Sequence, residues 1–463
     1  MRTNAVVISI CAVLAGGACL TVSGCQGATK PTTNASALRS RGGATGYELF
    51  TLPTTWYCVS PWSAESGPER RGMETFAWRL FIAINWPGKY TRGKWKADDE
   101  LKELNAPATF PRWNTWYTPE QLYQKFRENG DLAVAEDVER PVWRCDGGCL
   151  MLTLEGQGFA QGSADATKHV VYDQNGRALR YETRVDESFH DTLRDLIQSE
   201  NKEFDTTFDF THGQCRRRGP ASGDSYDQGG AISIKLAWKT LSVAESKSGR
   251  FLQRSASLHG AGTAEVTLGL VGLHIAQKSN HYSDWTWATF EHVDNLASPD
   301  GARAPSFHDP TCDASMCRAN ASEREPRSNL CRTQITRLDP IPEDVQKLNA
   351  DVRTWLAENG TVLQFYQLIG VQYTPYAGEN PEPKTLRNPV IETYLVGSSA
   401  PPGDASRPSC GPSPQPGYSS CMGCHVRAQD FIFMTENSLC NCKDKRNRWI
   451  GDERCKNLGI LCE

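Results

Sequence analysis

Five consecutive residues, Cys421-Met422-Gly423-Cys424-His425, constrain this chain more than any other stretch. The Cys-x-x-Cys-His spacing is that of a covalently attached c-type haem. Two thiols two residues apart can add to the two vinyl groups of one porphyrin. The adjacent imidazole then lies under the iron as an axial ligand. The expectation is one covalent haem c, held by Cys421 and Cys424, with His425 as the proximal iron ligand. The plainer alternative is a disulfide between the two cysteines, or half of a zinc site. Only 38 residues follow His425, and four of them are Cys. That is too little chain to build a haem pocket, so the haem peptide is expected to close onto the upstream region.

The other end reads as a targeting segment. Arg2 precedes an apolar stretch over residues 5–22, and Val22-Ser23-Gly24-Cys25 follows. This resembles a bacterial lipoprotein signal, with cleavage before Cys25 and lipid on its thiol. An ordinary secretory signal is the alternative. Residue 26 is Gln rather than Asp, so the signal that retains many lipoproteins at the inner membrane is missing. The expected location is the cell envelope, lipid-anchored at the periplasmic face or the outer membrane. No later segment approaches the 18 or so continuous apolar residues of a membrane span.

Export agrees with the cysteine count. Of 17 Cys, Cys11 and Cys19 leave with the signal, Cys25 takes lipid, and Cys421 and Cys424 take haem. Twelve remain, at positions 58, 145, 149, 215, 312, 317, 331, 410, 440, 442, 455 and 462. An even remainder in an oxidising compartment reads as disulfides. Cys145 with Cys149 and Cys312 with Cys317 are local candidates, and the last four suit a small knot. With 50 basic against 54 acidic residues, the chain lacks the strong positive charge of a general nucleic-acid binder.

Residues 1–24 are thus read as signal and 25–46 as a flexible tether, rich in Thr, Ala, Ser and Gly. Residues 47–396 are read as an α+β core, and 397–463 as linker, haem segment and Cys-rich tail. In residues 73–86 the apolar Phe76, Leu80, Phe81 and Ile84 recur at helical steps, and Pro87-Gly88 ends them. Further helices are expected over 119–128, 189–203 and 343–359. Strands are expected over 148–154, 231–241, 263–275, 285–293, 362–373 and 390–396. An Asn175-Gly176 turn joins residues 170–172 to a strand over 178–185. Helices do not alternate regularly with strands, so a mainly antiparallel sheet core with flanking helices is expected, disulfide-rich and carrying the haem segment on one side. The 13 Trp residues suit either core filling or packing around a flat cofactor.

The opposite face of the haem needs a ligand from elsewhere. Met434 is too close to His425 to loop round easily, and Met422 lies inside the attachment loop. His274, at the end of the strand over 263–275, and His292, at the end of the one over 285–293, are the candidate distal iron ligands. An open or water-bound position is the third choice. A lone His is more often a hydrogen-bonded core residue. With a ligand in place the haem would pass electrons to a redox partner protein or a small-molecule donor or acceptor. With an open site it would suit a peroxidase, an oxygenase or a gas sensor, with Arg184 or Glu291 as a polar distal group. No hydrolase elbow, phosphate loop or dinucleotide fingerprint is present.

Several stretches together resemble large, mostly uncharacterised bacterial cytochrome c family proteins with a C-terminal haem motif. They are Phe76 to Pro87, Arg180 to Val185, Ile234 to Lys239, Val271 to Ile275, Trp287 to Asn295, Asn388 to Tyr394, Ser420 to His425 and Asp430 to Phe433. The resemblance implies one integrated haem protein and defines no substrate. The Cys-rich tail is additional to the pattern.

Overall fold

The computed structural model describes residues 70–91, 94–98, 101–105, 109–118, 152–153, 171–198, 229–257, 265–279, 282, 284–297, 304–312, 319–320, 333–374, 382–383, 385–393 and 421–424. The signal, the tether, the helix read over 119–128 and the Cys-rich tail lie outside these residues.

In chain order, helix α1 spans Arg70–Ile84 and leads into a small antiparallel sheet of β1 (Pro87–Thr91), β2 (Lys94–Ala97) and β3 (Phe110–Pro111). β4 (Leu152–Thr153), β5 (Arg180–Val185), helix α2 (Glu187–Gln198) and β6 (Gly229–Thr240) follow. Then come helix α3 (Val243–Lys247), β7 (Gln253–Ser257), β8 (Glu265–Ser279) and β9 (Thr286–His292). Helix α4 (Glu343–Glu358), β10 (Tyr366–Gln372) and the short helix α5 (Cys421–Cys424) complete the described elements.

Among the described residues the main sheet has seven strands, with β10, β9, β8, β6 and β5 side by side and β7 and β4 beyond β8. Every pairing in it is antiparallel except β4 with β7. The expected α+β class and antiparallel character are therefore found. The apolar, Pro-free run that forms β8 makes the longest strand among the described residues, 15 residues long, and it pairs with three neighbours. Its length puts His274 in the strand interior, not at the end where the sequence pattern set it.

α1 and α4 cover one face of the sheet. Phe81 of α1 stacks on Phe290 of β9 with ring centroids 4.2 Å apart. Buried Asn349 of α4 receives the Trp78 indole N–H at 3.0 Å and exchanges two hydrogen bonds with the Leu368 backbone of β10. α1 was expected to bury a single stripe; instead its residues 72–84 are all buried but for half-buried Arg79. Trp78, Trp113, Trp238 and Trp285 are among the largest fully buried side chains, the core-filling role of Trp.

The Asn-Gly turn forms as read. Tyr172 bridges Ala178, and the Asp173 carboxylate accepts the Asn175 and Arg177 N–H groups at 2.9 Å each. Gly176 at φ 71° supplies the left-handed residue such a turn requires. Two strand expectations are corrected. Residues 362–365 form a 3₁₀ turn, so the strand begins only at Tyr366. Residues 389–393 form a turn and not a strand. There the Asn388 side chain accepts the Val390 N–H, and its carbonyl accepts the N–H groups of Ile391 and Glu392. Cys312 is disulfide-bonded, and the other cysteines read as disulfide partners lie outside the described residues.

Candidate functional site

The face of the sheet opposite α1 and α4 carries the candidate site. Side chains alternate across a strand, so His274 shares a face with its pairing neighbours Lys235 on β6 and Thr289 on β9. The turn over 385–393 lies on this face. Tyr181 donates its hydroxyl to the Val390 carbonyl at 2.7 Å, and Asn388 donates to the Thr289 hydroxyl and the Phe290 carbonyl at 2.9 Å each. The turn sits so close that a Cβ added at Gly272 would meet Val390 Cγ2 at 2.7 Å. Glycine at 272 is what lets the turn seat there.

This docking delivers Glu392 to His274. The His274 Nε2–H donates to Glu392 Oε1 at 2.6 Å, and Glu392 Oε2 accepts the Asn388 N–H at 2.8 Å. Burial alone would raise the Glu392 carboxyl; His274, Lys235 and the Asn388 N–H more than offset it, so its pKa lies below the ordinary value. His274 is buried, and its Nδ1 has no hydrogen-bond partner among the described residues.

The motif helix α5 docks on the same face. Gln372 shares it, since it pairs with Trp287, two residues from Thr289. Its amide oxygen accepts the Met422 N–H at 2.8 Å, while its Nε2 donates to the Pro383 carbonyl at 2.6 Å. Cys421 and Met422 are buried. The Cys421 thiol is free, and burial, then the nearby Glu392 carboxylate, push its pKa well up. Cys421, Glu392 and His274 therefore gather on one sheet face. Cys424 closes α5; His425, Met434 and Cys25 lie outside the described residues.

His292 is placed differently. It is fully buried on the helix-covered face, stacked on Phe251 at 4.2 Å. Its Nδ1 accepts the Asp294 N–H and its Nε2–H donates to the Arg250 carbonyl, both at 3.1 Å. Burial holds its pKa down to about 4. Both ring nitrogens are thus committed to the fold. Arg184 is committed as well, to the Glu182 carboxylate at 2.5 Å and the carbonyls of Asn114 and Trp116. Glu291 pairs with Arg337, away from α5.

Glu392 and Gln372 did not stand out by residue type. Glu392 lies inside the Asn388 to Tyr394 stretch that carries the family resemblance, which was the available signal; Gln372 had none. Among the described residues, no three His, Cys, Asp or Glu side chains are grouped to hold a metal ion, and no helix is long and apolar enough to cross a membrane. A haem needs neither, since its iron takes at most two side chains. Set against protein-family models, curated proteins and solved structures, the chain finds no match.

Proposed function

We propose that this chain is an envelope-anchored monohaem c-type cytochrome of the large bacterial kind it resembles, carrying single electrons. Cys421 and Cys424 would hold the haem, His425 would be its proximal ligand, and lipid on Cys25 would anchor it. The observation that carries the reading is the motif's first thiol, free and buried, on the sheet face that bears an imidazole with a partnerless nitrogen. When bound, the haem supplies a one-electron iron couple tuned by its axial ligands and their hydrogen bonds.

His274 is the better distal candidate because His292 has no nitrogen to spare. If His274 binds through Nδ1, Glu392 holds the opposite N–H, fixes the tautomer and raises the basicity of the ring, as carboxylates do behind metal-bound histidines. A second reading is favoured by the same 2.6 Å bond, which engages Nε2. There His274 and Glu392 are a polar pair beside an open iron position, suited to a peroxidase, an oxygenase or a gas sensor.

The test is to produce the full chain with haem-attachment machinery and record its spectra. Covalent haem is expected in the wild type and absent from Cys421→Ala/Cys424→Ala. Wild-type protein free of covalent haem sinks the proposal. A reduced spectrum unchanged by carbon monoxide supports the carrier, with His274→Ala converting it to a carbon monoxide-binding form. A wild-type spectrum shifted by carbon monoxide favours the open site.

A further inference from the structure

Two opposite charges stand on the sheet face where α5 docks. One is the Glu392 carboxylate, whose side chain is only 16% exposed and which accepts the His274 Nε2–H and the Asn388 N–H. The other is the Lys235 ammonium. Lys235 pairs across the strands with His274, and its Nζ lies over the Tyr181 ring, 5.3 Å from the centroid. Tyr181 in turn donates to the Val390 carbonyl of the turn that carries Glu392. His274 and Lys235 are near enough to hold the Glu392 carboxyl below its ordinary range, so the carboxylate stays ionised.

Cys421 stands beside this pair, close enough for its thiol to feel the Glu392 charge. A thioether at Cys421 fixes one porphyrin edge at that sulfur, so Glu392 would stand beside the same edge. A fixed charge there acts on the iron couple by Coulomb's law. The ferric form carries one more positive charge than the ferrous form. A carboxylate therefore favours ferric iron, and an ammonium favours ferrous iron. Burial weakens the screening of both.

We propose that Glu392 and Lys235 set the reduction potential of the haem, Glu392 holding it down and Lys235 offsetting part of that pull. This rests on the haem reading but not on which residue is the distal ligand, because charge acts on the iron from either side of the ring. The turn over 385–393 then does more than cover the sheet. Seated on Gly272, it delivers a charge to the cofactor.

The test is redox titration of the full chain carrying covalent haem, with Glu392→Gln and Lys235→Met as neutral variants of similar shape. Glu392→Gln is expected to raise the midpoint, shifting the ferrous-to-ferric ratio about tenfold towards ferrous, equivalent to about 59 mV for one electron. Lys235→Met is expected to lower it. The opposite signs are the signature. A pocket merely loosened by either change admits water and moves both midpoints the same way, and a lost hydrogen bond to His274 leaves Lys235→Met unchanged. Lys235→Arg keeps the charge and is expected to keep the wild-type midpoint, so the two Lys235 variants test the proposal even if Glu392→Gln does not fold. Shifts of the same sign, or an unchanged midpoint in either neutral variant, overturn the proposal and leave the haem reading standing. Wild-type protein without covalent haem overturns both.

Discussion

His274 and His292 lie on adjacent strands of one sheet, and both are buried, yet they have opposite characters. His292 faces the helices. It stacks on Phe251, both nitrogens are bonded to backbone, and burial keeps it neutral. His274 faces the turn over 385–393 and the motif helix. It is bonded at one nitrogen to a carboxylate brought from a distant segment, and its other nitrogen has no partner among the described residues. Burial alone does not distinguish a histidine whose ring nitrogens are both engaged from one with a nitrogen to spare. What distinguishes them is whether the surroundings consume the ring's hydrogen-bonding capacity.

The largest expected effect is on the helix-covered side. His292→Ala removes a stacked, fully buried ring and orphans two backbone groups, so it is expected to cost about 3–5 kcal/mol in a denaturant melt. His274→Ala should cost clearly less; an equal loss would break the contrast. Next is pH. The fold keeps His292 neutral down to about 4, whereas the unfolded chain protonates it near 6.5. The unfolded state therefore binds the extra proton between these values. The contribution is complete above pH 6.5 and is lost as pH falls towards 4, by about 3 kcal/mol. Asp186 works in the opposite sense, because burial raises its carboxyl to about 7 and its contribution is lost as pH rises. Comparing wild type with His292→Gln across pH 4 to 7 cancels the Asp186 part, and the difference should carry the His292 slope.

Two smaller changes probe the turn-covered side. Gly272→Ala should cost about 1–3 kcal/mol through its clash with Val390, with partial recovery in Gly272→Ala/Val390→Ala. A neutral Gly272→Ala would mean the turn is not seated on the sheet. Gln372→Ala removes the acceptor for the Met422 N–H and should cost about 1 kcal/mol, read locally as faster hydrogen exchange at that amide.

Much of the scaffold was legible in order and type. The periodic apolar positions of α4, Val345, Leu348, Val352 and Leu356, are its buried face. The long apolar run of β8 is the centre of the sheet. What misled was a pattern with two meanings. Val390 and Ile391 have the β-branched character of a strand, but Asn388 captures the local N–H groups, and the two side chains serve to pack over Gly272. Similarly, α1 shows a helical stripe, yet residues 72–84 other than Arg79 are buried, Glu74 and Thr75 among them, with α4 and β10 packed against the helix.

By itself the sequence determined the spacing of the Cys-x-x-Cys-His motif, the α+β class and the identity of two histidines worth attention. Local chemistry sets those, since thiol spacing and side-chain periodicity are properties of adjacent residues. Only the tertiary structure decided which histidine is spent and which is spare. That depends on the Asp294 N–H and Arg250 carbonyl reaching one ring, and on Glu392, 118 residues away in the chain, reaching the other. Pairings over such separations are fixed by the register of the sheet and the seating of a turn, and no single segment encodes them.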